Sequence, residues 1–116
     1  MDHEKCLYLL DIRIYMVFIM SKHIFETVYK GEPHNIQIGW DKPMRSFYYV
    51  VSPYTEFEGE SMLDDPIFSN LDHGEAIDIA VVVAKFKQLS IKIPAGLIAS
   101  VKIDELNNVV NEVKKY

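Results

Sequence analysis

Ser69, Asp72 and His73 are the residues of this chain whose types and closeness suggest catalysis, because serine, histidine and aspartate together perform acyl transfer. The arrangement is incomplete. The three residues belong to one short segment, no Gly-x-Ser-x-Gly turn surrounds the serine, and the sequence identifies no donor for an oxyanion. Serine and asparagine in such segments more often bond to the loop backbone. We therefore predict no catalytic residue, and a small enzyme with a carboxylate or histidine site in residues 54–74 stays an alternative.

Metal binding is the second chemistry that these residue types suggest. Asp64, Asp65, Asp72 and His73 carry groups that bind hard cations, but they lack the alternating acids and closing glutamate of a calcium loop. The other histidines, His3, His23 and His34, show no zinc-binding spacing and are interpreted as surface or strand residues. The sequence thus predicts neither a metal nor a cofactor.

The charge pattern favours a binding surface. No Lys or Arg occurs between Ser46 and Ala84, a stretch of 39 residues that holds eight acids. Tyr54, Phe57 and Phe68 lie among these acids, and aromatic residues among charges are more typical of a contact surface than of a merely solvated face. A one-signed patch also steers oppositely charged partners. Both interpretations, a docking surface for a basic protein and a solvated face, remain open at this point.

Composition limits the class of protein. The 116 residues predict one domain, and 49% apolar residues with 25% charged residues are ordinary for a globular protein. The net charge of −5 argues against direct nucleic-acid binding, and the single cysteine, Cys6, favours a cytoplasmic location without disulfides. The apolar stretch 6–20 is too short and too charged to cross a membrane. We expect residues 1–20 to be an extension or an extra strand and residues 21–116 to be a single α+β domain.

The elements needed to position these residues are short strands followed by helices. Alternating apolar residues between turn residues predict three strands, Ile24–Tyr29, His34–Trp40 and Phe47–Val51. Residues 54–74 show no sustained period and are interpreted as a loop with at most one short strand. Helical spacing predicts helices at Glu75–Leu89, at Pro94–Val101 and along the stripe Leu106, Val109, Val110 and Val113. The expected fold is a small antiparallel sheet of three to five strands packed against two or three C-terminal helices.

The turn between the second and third strands is interpreted as a rigid corner. Asp41 can accept a backbone hydrogen bond from two residues on, and Pro43 fixes its own backbone angle. Trp40 would bury its ring beneath the turn and donate its indole N–H to one acceptor. The alternative is a recognition site at Trp40 and Asp41, flanked by Lys42 and Arg45.

Two motifs resemble a known family. The run Gly39-Trp40-Asp41-Lys42-Pro43 before paired aromatics, and Asp65-Pro66-Ile67-Phe68-Ser69-Asn70-Leu71-Asp72, resemble an uncharacterised family of short bacterial proteins often encoded near mobile or plasmid-borne genes. Asn107-Asn108-Val109 resembles that family's C-terminal Asn-rich helix, whereas Asp72-His73-Gly74 departs from its pattern. The resemblance covers residues 21 to 116, and it implies no activity.

These observations lead to one predicted function. We expect a small non-enzymatic accessory protein that docks a basic partner protein through the acidic and aromatic segment, and one version of this function is mimicry of nucleic-acid charge. A structural homodimer is a further alternative. The candidate binding residues are Trp40, Asp41, Arg45, Tyr54, Glu58, Glu60, Asp64, Asp65, Phe68, Asn70 and Asp72.

Overall fold

The computed structural model describes residues 20–71, 76–109 and 112–116. Within these residues the chain forms, in order, β1 (Ser21–Tyr29), β2 (Glu32–Asp41), β3 (Ser46–Phe57), β4 (Glu60–Leu63), β5 (Phe68–Ser69), α1 (Ile79–Gln88), α2 (Leu97–Asn107) and β6 (Glu112–Lys115). The molecule is therefore mostly sheet, with six strands and two helices in the described part of the chain. The expected small sheet of three to five strands packed against two or three C-terminal helices is wrong.

A tight hairpin joins β1 to β2. Tyr29 and Glu32 are paired, so only Lys30 and Gly31 form the turn, and both have positive φ angles of 51° and 80°. This is the turn whose twist matches that of two antiparallel strands, and glycine adopts its second position without a steric penalty. The hairpin register then places Phe25 opposite Ile36.

The strands form one curled sheet in the order β4-β3-β2-β1-β6. β5 pairs with β3 on the same edge as β4, through Val50 and Val51. β6 is parallel to β1, from Ser21 opposite Glu112 to Ile24 opposite Lys115, whereas the other pairs are antiparallel. A parallel neighbour requires a crossover, and here the crossover contains both helices.

The core lies between the two helices and one face of the sheet. Alternate residues of the central strands, such as Ile36 and Ile38 of β2, are fully buried there. Phe86 of α1 packs edge-on against Tyr49 of β3 at 5.8 Å between ring centroids. Burial of such side chains is the main term that stabilises the fold, at about 1.5–3 kcal/mol for each large apolar residue.

Both helices begin later than the sequence pattern predicts. Asp78 caps α1, because its backbone is extended and its side chain accepts a hydrogen bond from the Ile79 amide. Pro94 does not open α2; the helix begins after Gly96, whose φ of 86° only glycine adopts easily. The capping residues Asp78 and Gly96, and not the apolar spacing, therefore set the first residue of each helix.

The predicted helix along Leu106, Val109, Val110 and Val113 is wrong beyond Asn107, and Val110 lies outside the described residues. α2 ends at Asn107 because Asn108 takes a left-handed backbone conformation, with a φ of 52°, and its amide bonds back to the carbonyls of Asp104 and Glu105. Val113, expected on the helical stripe, lies instead in β6 beside Lys22 of β1. Hydrogen bonding to the free edge of β1 therefore outweighs the helical spacing.

The segment 54–74, predicted to be a loop with at most one short strand, contains parts of three strands. β3 continues to Phe57 and turns back into β4, and β5 follows at residues 68–69. Residues 72–75, with Asp72 and His73, lie outside the described part. So do residues 1–19, whereas Met20 is 4% exposed and bridges to Asp41, so the chain belongs to the fold from Met20 onward. Among the described residues, no helix has the length and apolar character to cross a membrane.

Candidate functional site

Residues 54–65 form a two-stranded projection that we call the acidic hairpin. β2 pairs with β3 only as far as Pro53, which lies opposite His34. The last four residues of β3 therefore pair with β4 alone. Glu58 and Gly59 form the turn with φ angles of 52° and 81°, which repeats the geometry of the turn between β1 and β2. The hairpin thus extends beyond the body of the sheet.

Five acids of the hairpin are exposed and close in sequence: Glu56, Glu58, Glu60, Asp64 and Asp65. In the described part of the chain, none of them lies in an ion pair. Asp64 is the most constrained, because it accepts hydrogen bonds from the Asp65 amide at 2.8 Å and the Thr55 hydroxyl at 2.9 Å. These bonds, the backbone one foremost, lower the pKa of the Asp64 carboxyl. The hairpin therefore carries a concentrated negative charge at neutral pH.

Apolar side chains are exposed beside these acids. Met62 and Leu63 of β4 are 54% and 57% exposed, and Ile67 is 46% exposed. Single exposed apolar residues are normal, but two adjacent ones on the acidic hairpin, with Ile67 just after it, form a mixed surface. Such a mixture suits contact with a partner that has both cations and apolar groups.

Tyr54 and Phe68 connect this surface to the body of the protein. The Tyr54 hydroxyl accepts a hydrogen bond from the Asn35 amide at 3.2 Å and donates one to Glu26 at 2.9 Å. Phe68 packs edge-on against Tyr29 at 6.1 Å, and the Lys85 ammonium lies 4.7 Å from its ring centroid. Both aromatic residues are half-buried, so they anchor the acidic hairpin to the body of the protein and add little to its exposed surface.

The corner at Trp40 does not adjoin the acidic hairpin. Trp40 is 5% exposed, packs on Phe47 at 5.1 Å and donates its indole N–H to Asn108 at 3.3 Å, so the ring is part of the core as expected for an architectural turn. Arg45 is exposed just before β3, whereas the hairpin begins at Tyr54. Nine residues of extended chain span roughly 30 Å. The structure therefore separates Trp40, Asp41 and Arg45 from the acidic residues.

Two other candidate residues have backbone partners. The Asp41 carboxylate accepts a hydrogen bond from the Met44 amide at 3.2 Å, three residues on instead of two, because four residues connect β2 to β3. Asn70 is 7% exposed; it accepts from the Tyr49 amide at 2.7 Å and donates to the Phe47 carbonyl at 3.1 Å. Asn70 thus satisfies backbone groups of β3 beyond the end of β5.

A second site lies where β1 meets β6, and sequence reasoning missed it. His23 is completely buried; its Nε2 atom lies 2.5 Å from the Asp104 carboxylate, and its Nδ1 atom lies 2.7 Å from the Tyr116 hydroxyl. Asp104 is 2% exposed. Together we call Asp104, His23 and Tyr116 the buried triad. It joins α2, β1 and the residue after β6.

The sequence does contain a signal for this site, namely polar residues at core positions of a strand and a helix. His23 shares a strand face with Phe25, and Asp104 follows Leu97 and Val101 at helical spacing, so both occupy core positions of their elements. A charged residue at a core position is rare unless it has a partner. His34, which was also expected to be a surface or strand residue, is a buried strand residue whose ring donates to the Glu32 carbonyl.

A pocket of about 380 Å³ adjoins the triad through Tyr116. Its lining residues are Ile24, Phe25, Glu26, Asn35, Tyr54, Lys115 and Tyr116. Among the described residues, no group of three or more acids, histidines or cysteines has an arrangement that would hold a metal ion. The polar groups of the pocket come from β1, β2, β3 and β6, so only the folded sheet brings them together.

No known protein family, curated protein or solved structure matches this chain. The geometry of the acidic hairpin, the pocket and the buried triad is therefore the basis for inferring function.

Proposed function

We propose that this protein is a small binding module that docks a basic partner protein through the acidic hairpin. The observation that carries the proposal is the projection itself: five exposed acids and two exposed apolar side chains, Met62 and Leu63, lie within residues 56–65, where β3 no longer pairs with β2. Fixed negative charge on a projection accelerates encounter with a basic surface, and the apolar groups then contribute contact area.

The partner that this surface suits best is a protein whose own surface binds phosphate groups. Such a protein presents clustered lysine and arginine, and the row of carboxylates would occupy it in place of a nucleic acid. This version makes the module a charge mimic. A cytoplasmic location and membership of the resembling bacterial family are parts of the same proposal.

The carboxylates of the acidic hairpin favour binding over the alternative of an enzyme site in residues 54–74. They are exposed on a projecting ribbon, whereas a catalytic carboxylate usually lies in a concavity with converging polar groups. The described residues of this segment other than Tyr54 lie outside the pocket lining. Asp72 and His73 lie outside the described residues, so their part of that alternative stays a prediction.

Charge reversal tests the proposal. Glu58→Lys with Glu60→Lys changes two exposed residues and leaves the hydrogen bonds of Asp64 intact. Affinity capture from a cell lysate with the wild type, followed by mass spectrometry, identifies a basic binder, and association rates of the purified binder are then measured across a salt series. We expect the double variant to associate at least tenfold more slowly at low salt. The difference should shrink as the Debye length falls toward about 8 Å at physiological ionic strength.

The matched control is Glu32→Lys with Glu105→Lys, which makes the same change in net charge at exposed positions outside the hairpin. We expect the control to retain most of the wild-type association rate. The unfolding midpoints of both variants should stay near that of the wild type, because exposed charges contribute little to stability. Equal association rates for the wild type and the hairpin variant at every salt concentration would refute the proposal.

A further inference from the structure

The buried triad has the connectivity of an activated nucleophile. Asp104 and Tyr116 lie 81 and 93 positions after His23 in the sequence, and both bond to its ring, so the hydrogen bonds run from Asp104 through His23 to Tyr116. A carboxylate accepts hydrogen bonds only, so Nε2 of His23 carries the proton that Asp104 accepts. When the ring is neutral, its Nδ1 atom is an acceptor, to which the Tyr116 hydroxyl donates. His23 is thereby placed as a base for the hydroxyl proton.

The exposure of the three groups differs in the way that such a site requires. His23 and Asp104 are 0% and 2% exposed, whereas Tyr116 is 42% exposed and lines the pocket. The base and the carboxylate that orients it are thus shielded from water, and Tyr116 is the member of the triad that reaches the pocket. A nucleophile bonded to a base, with the base oriented by a third group, is the general pattern of covalent catalysis.

The pocket indicates the charge of the molecule that would react. In the described part of the chain, Lys115 has no carboxylate within ion-pair distance, whereas Glu26 accepts the hydrogen bond of Tyr54. The Lys115 ammonium is therefore available to bind an anionic group beside Tyr116. A volume of about 380 Å³ suits a small molecule.

We propose that Tyr116 is a nucleophile activated by His23 and Asp104, and that the pocket binds a small ester with an anionic group. In the step, the Tyr116 oxygen forms a bond to the electrophilic carbon, the bond from that carbon to the leaving alkoxide breaks, and the hydroxyl proton passes to His23 Nδ1. The leaving group takes up that proton, so a tyrosyl ester and an alcohol result. Asp104 is a positioning residue, since it acts only through His23.

A sulfonyl fluoride measures this reactivity without knowledge of the natural ester. The probe is 4-(fluorosulfonyl)benzoate, which carries a carboxylate; the tyrosine oxygen bonds to sulfur, fluoride leaves, and the proton passes to the base. Labelling of each tyrosine in the full chain is followed by peptide mass spectrometry, with the half-buried Tyr29 as the internal reference. We expect Tyr116 to be labelled at least tenfold faster than Tyr29, and faster by this probe than by neutral benzenesulfonyl fluoride.

The variant Asp104→Asn distinguishes an activated Tyr116 hydroxyl from a triad that only stabilises the fold. In the folded variant we expect Tyr116 labelling to fall at least tenfold while Tyr29 labelling is unchanged. A purely structural triad predicts the opposite, because a loosened Tyr116 would become more accessible. Should Asp104→Asn fail to fold, the wild type unfolded in urea serves instead, where the labelling rates of Tyr116 and Tyr29 should become equal. A Tyr116 rate no greater than that of Tyr29 in the native protein would overturn the proposal.

Discussion

Gly39 and Tyr48 are direct partners across β2 and β3, and the Tyr48 ring occupies the space that a side chain at position 39 would need. A Cβ atom on Gly39 would lie 2.6 Å from Cε1 of Tyr48 and would also overlap the Ser21 carbonyl oxygen. That carbonyl accepts the Tyr48 hydroxyl at 2.7 Å, and Gln37 donates to the same hydroxyl at 2.8 Å. A glycine at position 39 is therefore what allows β1, β2 and β3 to close around Tyr48.

Gly39→Ala should destabilise the protein by about 3 kcal/mol, because the added methyl group overlaps a backbone atom that cannot move without disturbing β1. The measurement is the free energy of unfolding in urea. Gly31→Ala is the control: its Cβ would meet nothing within 4 Å, so only the positive φ penalises it, by about 1 kcal/mol. Equal losses for the two variants would contradict the packing role of Gly39.

Asn70→Asp should make stability depend on pH. The introduced carboxylate cannot donate to the Phe47 carbonyl, whereas the protonated acid can, and burial further disfavours the charge. The folded-state pKa of that carboxyl is therefore raised above its unfolded value of about 3.9, so its favourable contribution is present below about pH 4 and is lost as pH rises. At pH 7 we expect a loss of about 2 kcal/mol relative to the wild type.

The check is the difference in unfolding free energy between Asn70→Asp and the wild type at pH 7 and pH 4. Asn70→Ala removes both hydrogen bonds and should be destabilised by a similar amount at both pH values. A pH-independent difference for Asn70→Asp would show that Asn70 does not donate to Phe47.

Asp41→Asn should stabilise the protein at neutral pH. Burial raises the pKa of the Asp41 carboxyl, and the hydrogen bond from Met44 only partly opposes this. A raised pKa means that the contribution of Asp41 is most favourable below its unfolded pKa and declines as pH rises through the folded one. Asparagine keeps the oxygen that accepts from Met44 and carries no charge.

Unfolding in urea at pH 7 and pH 4 tests this expectation. The advantage of Asp41→Asn should be present at pH 7 and smaller at pH 4, because the Asp41 carboxyl takes up its proton as pH falls through its raised pKa. Asp41→Ala, which loses the acceptor, should be destabilised by about 1 kcal/mol at either pH. A lower stability of Asp41→Asn at pH 7 would indicate that the charge itself stabilises the turn.

Local chemistry in the sequence determined several features of this protein. Alternation of Ile36 and Ile38 with polar residues predicted β2, and the helical spacing of Ile79, Ala80, Val83 and Phe86 predicted α1, although the core buries Val82 and not Val83. The concentration of acids and the architectural role of Trp40 also followed from residue types alone. Each of these depends on neighbours close in the chain, where periodicity and side-chain chemistry report directly on burial.

Only the tertiary structure decided the remaining features. All four residues of β4 are exposed, so its sequence shows no alternation of apolar and polar residues that would predict a strand. Pairing with β3 makes it one. Val113 fits a helical stripe equally well, but the free edge of β1 provides hydrogen-bond partners for β6. The triad of Asp104, His23 and Tyr116 requires contacts across the whole domain. No local pattern encodes such contacts, because they arise only when separate elements are packed together.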